Sequence, residues 1–186
     1  MKSSLAILLA ATIFFAIPAP ALASSPPPTA LDLRTEAYRS LAKLHVAAPQ
    51  TARLGNQAYA VAVFPAIRGF AFLVGAEAGY GVLFMGQNAV DYYKMHVVAG
   101  GFTFGWRRYG IALYFMAQES FEHFIKNKGT EGNLGGWVTL DLQDFSAHKS
   151  KIHFQKDVIK YIYNEEGMMF HLGPQLTRVN EATLSR

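Results

Sequence analysis

The stretch 63-VFPAIRGFAFLVGAEAGYGVLF-84 places four glycines among residues that are otherwise mostly apolar. It could be a membrane-spanning helix, a phosphate-binding loop, or strands in which glycine lets the backbone bend or approach a neighbour closely. Pro65, Arg68 and Glu77 interrupt the region, and its longest uncharged run, 54–67, is shorter than the ~20 apolar residues that a spanning helix needs. The stretch is therefore not expected to be a membrane-spanning helix.

A phosphate-binding loop does not fit the stretch either. The segment 75-GAEAGYG-81 matches neither of the common glycine-rich phosphate motifs, and no helical pattern follows it to supply a positive N-terminus. The sequence thus predicts glycines that lie in or between strands, at positions where a side chain would clash: Gly69, Gly75, Gly79 and Gly81. Because glycine destabilises a strand, four of them imply sharp curvature or tight contact with another layer.

Alternating large and small residues predict strands on both sides of this stretch. The large residues are Tyr59, Val61, Val63, Phe70, Phe72, Val74, Tyr80, Val82, Phe84, Phe102, Phe104 and Trp106. We expect them to fill a core on one face, while the small residues meet a close neighbour on the other. A hairpin is predicted with 107-RRYG-110 at its tip, and later strands at 136–142, 158–163 and 167–172, the last two joined by a turn at 164-NEEG-167.

Helical segments accompany the strands. Apolar residues recur at intervals of three and four over 29–48, which predicts a helix capped by Thr29 and stopped by Pro49. Its apolar stripe would either pack on a core or enter a lipid interface, with Arg34, Arg39 and Lys43 at the headgroups. A short helical segment is predicted near 50–57, and a further helix near 118–128 that Gly129 closes. Helices and strands together predict an α+β fold.

The N-terminal residues have the pattern of an export signal. Residues 1–23 contain one lysine, an apolar run and a small-residue ending, Ala21-Leu22-Ala23, which predicts a cleaved signal peptide. We expect a flexible proline-rich leader at 24–29, a single domain at 30–180 and a polar tail at 181–186. The predicted location is periplasmic or secreted, at the periphery of a membrane. The absence of cysteine excludes disulfides, thiolate metal sites and lipid attachment through an N-terminal cysteine.

Catalysis is not expected from the polar residues of this chain. The histidines include no His-x-x-x-His pair, Glu119 and His123 form at most half of a metal site, and no Gly-x-Ser-x-Gly motif exists. We predict no enzyme activity, no cofactor and no metal. Basic residues outnumber acidic ones by 17 to 13, which is compatible with an anionic surface as partner. Nucleic acid is not an expected partner, because the aromatic residues lie in apolar strands and the basic clusters are short.

Several segments together resemble one known domain. The Phe-Pro-x-x-basic-Gly-Phe segment at 64–70 and the spaced glycines after it are the most specific, and the others are 90-VDYYKMHVVAGGFTFGW-106, 110-GIALYFMAQESFEHF-124, 135-GGWVTLD-141 and 161-YIYNEEGMMFHL-172. They resemble the SYLF domain, a lipid-binding module of eukaryotic endocytic and actin-patch proteins that also occurs as exported single-domain proteins in bacteria. The resemblance covers roughly residues 31 to 180.

The resemblance implies an α+β domain with a curled antiparallel β-sheet or partial barrel and a helix near its N-terminus. It also implies binding to anionic phospholipids, which are phosphoinositides for the eukaryotic members. Actin binding, known for the yeast type, is not expected of an exported protein. Arg68 is the basic residue that carries over best, whereas 105-GWRRYG-110 departs from the glutamine-rich stretch of many members.

The predicted function is non-enzymatic, peripheral binding to the headgroups of anionic phospholipids. The predicted binding residues are basic and aromatic: Arg68, Arg107 and Arg108 at a hairpin tip with Trp106 beside them, and Arg34, Arg39 and Lys43 on the first helix. The alternative is a small outer-membrane β-barrel or a structural envelope protein. The export signal, the aromatic residues and the period-two strands favour that alternative, and the helical segments oppose it. The oligomeric state stays open.

Overall fold

The computed structural model describes residues 26–126, 131–139, 147–150 and 157–185, of which 131–139 and 147–150 are described by their backbone alone. The predicted signal peptide and Gly129 lie outside the described residues. The helices are α1 (Ala30–Ala47), α2 (Gln50–Gln57) and α3 (Gln118–Lys126). The strands are β1 (Ala60–Phe72), β2 (Val74–Met85), β3 (Asn88–Ala99), β4 (Phe102–Phe115), β5 (Glu131–Thr139), β6 (Ala147–Ser150) and β7 (Val158–Glu181).

The three described helices are the predicted ones. Thr29 caps α1, because its hydroxyl oxygen accepts a hydrogen bond of 3.1 Å from the backbone N–H of Asp32. The apolar stripe of α1, with Leu33, Ala37 and Leu44, is buried. The interpretation of α1 as a helix packed on a core is thus confirmed, and its stripe does not face a lipid interface.

The strands form one curled antiparallel sheet. Their order is β3-β2-β1-β4-β7-β5, and the additional pairing of β3 with β7 closes the first five into a ring. β6 pairs with β7 off this path. The predicted α+β class with a curled antiparallel sheet is therefore confirmed.

At one end of the sheet, the β1–β2 turn, the β3–β4 connection and a bend in β7 lie side by side. β1 turns into β2 at Leu73, whose backbone N–H donates a hydrogen bond of 2.7 Å to the carbonyl of Thr103. β3 turns into β4 at Gly100 and Gly101, and the N–H of Gly100 donates to the carbonyl of Pro174 at 2.9 Å. We call this the turn end of the sheet.

β7 follows the same bend as the β3–β4 connection. It pairs with β4 as far as Phe102↔Leu172 and with β3 from Ala99↔Gln175 onwards. Glycine is required here: Gly101 has a φ of 99°, and a Cβ on it would lie 2.5 Å from the carbonyl oxygen of Leu172. The turn end thus depends on backbones that approach more closely than side chains would permit.

The sheet has an inner and an outer face, each with its own apolar cluster. Inside the curl, Phe64, Ile67, Tyr93 and Ile111 belong to a buried cluster that Phe124 of α3 joins. On the outside, α1 and the outward residues of the strands form a second cluster: Leu33, Ala37, Leu44, Ala48, Val61, Val63, Val82, Phe84, Ala112, Tyr114, Tyr161 and Tyr163. The outer cluster covers only the half of the sheet that is remote from the turn end.

The four glycines of the opening stretch make the inside of the curl narrow. A Cβ on Gly81 would lie 2.5 Å from Cδ1 of Phe64, and one on Gly79 would lie 2.8 Å from Cγ1 of Ile67. On Gly69 it would lie 2.5 Å from Cγ of Glu77. The prediction that a side chain would clash is confirmed for these three glycines, whereas a Cβ on Gly75 would lie 3.2 Å from that of Ala71, a tight contact.

Replacing Gly81 with Ala is expected to destabilise the fold by about 1–3 kcal/mol, because the added methyl group overpacks the Phe64 ring. Gly55 is the matched control, since the nearest atoms to a Cβ there are 3.8 and 4.0 Å away. Gly55→Ala should stabilise α2 by roughly 0.5–1 kcal/mol through helix propensity. Urea unfolding of both variants measures the difference, and equal stability would contradict the tight packing at Gly81.

Two predicted turns are continuous strand instead. The segment 107-RRYG-110 lies inside β4, with Arg107 and Tyr109 buried, so the predicted hairpin tip is wrong. The segment 164-NEEG-167 lies inside β7. The pairs Arg108↔Glu166 and Gly110↔Tyr163 are two residues apart on β4 but three apart on β7, so the register shifts between them. The extra residue on β7 makes a bulge, with positive φ at Asn164 and Gly167, and the chain does not reverse.

Candidate functional site

One row of residues across the outer face of the sheet carries three arginines and a histidine, with one carboxylate, Glu166, next to Arg108. Arg68 on β1 lies directly opposite Arg108 on β4 and, on its other side, Ala78 on β2. Ala78 is opposite His96 on β3, which in turn is opposite Arg178 on β7. We call Arg108, Arg68, His96 and Arg178 the basic row. Arg68, His96 and Arg178 are exposed and the Arg108 side chain is 36% exposed, so these groups can meet a partner in solution.

The Arg68–Arg108 pair is unfavourable for folding, since like charges directly opposite each other destabilise a sheet. Arg108 has two carboxylates nearby, Glu166 at 3.7 Å and Glu36 at 3.9 Å. Both ion pairs are long and largely exposed, and such pairs contribute about 0–1 kcal/mol. A positively charged surface therefore remains around Arg68, which an anionic partner would stabilise.

His96 adds no charge to the row at neutral pH. Partial burial lowers the pKa of His96 below its ordinary value, and the nearby charge of Lys94 lowers it further. The three arginines are therefore the permanent cations of the basic row.

Between the basic row and the turn end, the outer face is apolar. Phe70 is opposite Trp106, which is opposite Met168, and Phe72 is opposite Phe104 in the next row. The residues of this surface, which we call the apolar end, are Phe70, Phe72, Leu73, Val74, Val98, Phe102, Phe104, Trp106, Met168, Phe170, Leu172 and Leu176. They are between 39% and 65% exposed.

The apolar end is larger than a folded monomer ordinarily exposes. Such proteins rarely leave contiguous apolar patches of more than a few hundred Å², and larger ones mark interaction sites. Its aromatic rings contact one another edge-on, with 6.3 Å between the centroids of Phe72 and Phe104 and 5.7 Å between those of Phe102 and Phe170. Two pairs of aromatic rings thus pack together on this surface.

At the apolar end, the large side chains point outward and the small ones inward, which is the reverse of the prediction. Thr103 and Ala71 point into the curl and are buried, whereas Phe102, Phe104 and Phe72 point outward and are exposed. The expectation that the large residues of these strands fill a core is wrong at this end, because the inside is too narrow for them. In the other half of the sheet, the large outward residues are buried beneath α1.

A buried ion pair lies inside the curl, one residue away from the basic row. Nε and Nη2 of Arg107 donate hydrogen bonds of 2.9 Å to the two carboxylate oxygens of Glu77. The hydroxyl of Tyr109 donates to Oε2 of Glu77 at 2.5 Å, and the guanidinium carbon of Arg107 lies 4.1 Å from the Tyr109 ring centroid. Burial raises the pKa of Tyr109 well above its ordinary value, so its hydroxyl stays protonated and can donate.

Gly69 makes this pair possible. It is the cross-strand partner of Arg107 on one side and of Glu77 on the other. Because Gly69 has no side chain, the two charged groups meet across β1 above its backbone. The ion pair therefore links β2 to β4 across β1.

Near the turn end, His171 joins β7 to β4. Its Nδ1 lies 3.2 Å from the hydroxyl of Thr103 and its Nε2 lies 3.0 Å from the carbonyl oxygen of Gly173. Both ring nitrogens are thus engaged inside the fold, and the imidazole is buried. These contacts fix the bend of β7 and leave no exposed polar atom of His171 at the apolar end.

The structure brings three of the predicted binding residues together. Arg68, Arg108 and Trp106 lie on adjacent outer positions of β1 and β4. Arg107 does not join them, because it is 7% exposed, faces the inside of the curl and forms an ion pair with Glu77. Its predicted place at an exposed tip is wrong because Arg107 and Arg108, as neighbours in a strand, point to opposite faces.

The predicted residues on α1 are exposed but stand apart from the basic row. Arg39 and Lys43 lie three and seven residues beyond Glu36, so helical geometry puts them on the side of α1 that faces Arg108. Arg34 lies on the opposite flank of the buried stripe. Of the three, only Arg39 and Lys43 could extend the basic row.

Sequence reasoning missed His96, Arg178 and most of the apolar end. The alternation of Phe102, Phe104 and Trp106 with small residues was a usable signal, but alternation does not say which face is covered. His96 and Arg178 are far apart in sequence, and only the β3–β7 register places them opposite each other.

Within the part of the chain that the structure describes, no group of three or more histidine, aspartate or glutamate residues is placed to hold a metal ion. No helix among the described residues is long and apolar enough to cross a membrane. Comparison of the chain with protein-family models, with curated proteins and with solved structures finds no match. The resemblance to the SYLF domain therefore stays a prediction.

Proposed function

We propose that this protein is a non-enzymatic, exported lipid-binding protein that attaches peripherally to membranes of anionic phospholipids. One observation supports the proposal above the others: a row of cations borders an exposed apolar surface on the same face of the sheet. Arg68 and Arg108 would contact headgroup phosphates, and Trp106, one row nearer the turn end, would lie at the boundary between headgroups and acyl chains. Arg178 extends the charged row to the far side of the sheet.

Arginine suits this role because its planar guanidinium can donate two parallel hydrogen bonds to a phosphate. Each basic residue near an anionic membrane contributes about 1 kcal/mol, so Arg68 and Arg178 together contribute about 2 kcal/mol. Arg108 adds less, because two carboxylates lie near it. Salt screens exposed charges over a Debye length of about 8 Å at physiological ionic strength. The electrostatic part of the binding should therefore weaken as salt is added.

Co-sedimentation with vesicles tests the proposal. The purified protein is expected to pellet with vesicles that contain phosphatidylglycerol and to pellet much less with pure phosphatidylcholine, because only the former offer a negative surface to the basic row. Raising the salt concentration should shift part of the bound protein to the supernatant. Equal binding to both kinds of vesicle, or no binding to either, would contradict the proposal.

Arg39 and Lys43 define a secondary part of the same hypothesis. Their exposed positions on α1 would let them approach the membrane beside Arg108, while Arg34 on the other flank would stay away from it. Removal of Arg39 and Lys43 is thus expected to weaken vesicle binding less than removal of Arg68 and Arg108.

A further inference from the structure

We propose that the apolar end penetrates the hydrocarbon layer of one membrane leaflet, turn end first, and stops where the basic row reaches the headgroups. This inference rests on the proposed function and adds a second class of contact, with acyl chains, and a defined orientation. Leu73, at the β1–β2 turn, would lie among the deepest residues.

The dimensions of the apolar end fit a single leaflet. Along β4, Trp106 lies about 7 Å and Phe104 about 13 Å beyond Arg108, at ~3.3 Å per residue. Phe102, the first residue of β4, lies about 20 Å beyond Arg108 on the same scale, and less along the membrane normal for a tilted strand. The hydrocarbon core of a bilayer is about 30 Å thick, so the apolar end reaches into one leaflet and does not cross both.

The outer face at this end carries no charged side chain among the described residues. Between Arg68 and Ala78, the outward positions of β1 and β2 are Phe70, Phe72, Val74 and Ala76. On β7, the outward residues from Met168 to Leu176 are also uncharged. A hydrocarbon surrounding could therefore replace water here without removing a charge from solvent.

Several polar groups at this end bond within the protein, which lowers the cost of a hydrocarbon surrounding. The backbone N–H groups of Leu73 and Gly100 donate to carbonyls across the bend. Inside, Glu77 and Arg107 pair with each other. His171 contacts Thr103 and the Gly173 carbonyl, so this histidine does not depend on water either.

The shape of the apolar end favours lipid over a second protein surface. The sheet curls around the inner cluster, to which β1, β2, β3 and β4 all contribute, so the outward residues of these strands point in several directions. A flat protein partner, or a second copy of this chain, would cover one side and leave the others in water. Fluid acyl chains can surround all of them at once, and the adjacent basic row matches an anionic headgroup layer.

A single fluorescent label tests the orientation, because the chain contains no cysteine. Leu73→Cys, labelled with the environment-sensitive dye NBD, should shift its emission to the blue on adding phosphatidylglycerol vesicles. Lipids with a nitroxide on the acyl chain should quench it several-fold more than the same label on Gln87→Cys, the matched control. Gln87 is exposed and lies in the β2–β3 turn, at the opposite end of the sheet.

The possible outcomes separate this inference from the proposed function. Pelleting with vesicles while the label at 73 stays in a water-like environment would overturn the insertion and leave peripheral binding intact. Failure to pellet under any condition would overturn both. A blue shift at 73 that is concentration-dependent and needs no vesicles would show that the apolar end covers a second copy of the chain, and would also overturn the insertion.

A second variant removes aromatic contacts without touching the charges. Phe72→Ser with Phe104→Ser should reduce the binding that remains at high salt by at least tenfold, while low-salt binding through the basic row changes less. Both side chains are more than half exposed, so circular dichroism should show an unchanged fold. High-salt binding equal to that of the parent protein would contradict acyl-chain contact at these positions.

Discussion

Replacing Glu77 with Ala is expected to lower the free energy of unfolding by about 3–5 kcal/mol, the usual effect of leaving one partner of a buried ion pair without its counter-charge. Arg107 is 7% exposed and directs two hydrogen bonds at the Glu77 carboxylate. After the replacement, its charge would remain inside the curl, and the Tyr109 hydroxyl would lose its acceptor as well. Urea unfolding followed by circular dichroism measures the change.

Two further variants show whether the lost stability comes from the stranded charge. The double variant Glu77→Leu with Arg107→Met should recover most of the loss, since apolar residues of similar size often replace a buried pair without penalty. Tyr109→Phe removes one hydrogen bond and should lower the stability by only about 1–2 kcal/mol. If Glu77→Ala were as stable as the parent protein, the pair would not be closed to water and the narrow interior would be wrong.

Much of the fold could be predicted because its local signals were strong. The intervals of three and four in α1, the Thr29 cap and the four glycines each have a physical cause that acts within a few residues. These signals located the helices, the strands around Gly69 to Gly81 and the α+β class. They could not predict that the strands close into a ring, because the β3–β7 pairing joins residues such as His96 and Arg178 that lie far apart in sequence.

The two wrong turns have a common physical origin. Short segments of charged or polar residues that end in glycine, between apolar runs, are typical of turns, and both 107-RRYG-110 and 164-NEEG-167 have that composition. In the fold, these segments lie beside each other, with Arg108 opposite Glu166. Arg107 pairs with Glu77 inside the curl, whereas Arg108 lies in the outer basic row. Composition alone does not distinguish a buried pair from a solvated turn.

Arg68 lies exposed on β1, as a binding residue must, but the residues beside it were not predicted. Its position after Phe-Pro was visible in the sequence, whereas the row that it forms with Arg108, His96 and Arg178 depends on register between four strands. The apolar end was hidden for a similar reason. Phe70 and Val63 look equivalent in an alternating pattern, yet α1 covers Val63 and no described residue buries Phe70.

Reversing two charges of the basic row should have the largest effect on membrane binding. In the variant Arg68→Glu with Arg178→Glu, two attractive charges are lost and two repulsive ones are gained. At about 1 kcal/mol per charge, the change amounts to about 4 kcal/mol, or roughly a thousandfold weaker binding to phosphatidylglycerol vesicles at physiological ionic strength. Both positions are exposed, so thermal unfolding should be nearly unchanged.

The matched control for this reversal is Arg53→Glu with Lys126→Glu, which alters the net charge by the same amount. Arg53 on α2 and Lys126 on α3 are exposed and lie away from the turn end. If the long-range field of the whole protein governed binding, both double variants would lose affinity equally. If the basic row is the headgroup contact, the control should lose about tenfold or less, because charges farther than a Debye length of about 8 Å from the membrane are screened. Equal losses of affinity would therefore show that Arg68 and Arg178 are not headgroup contacts, even if the protein binds anionic lipid.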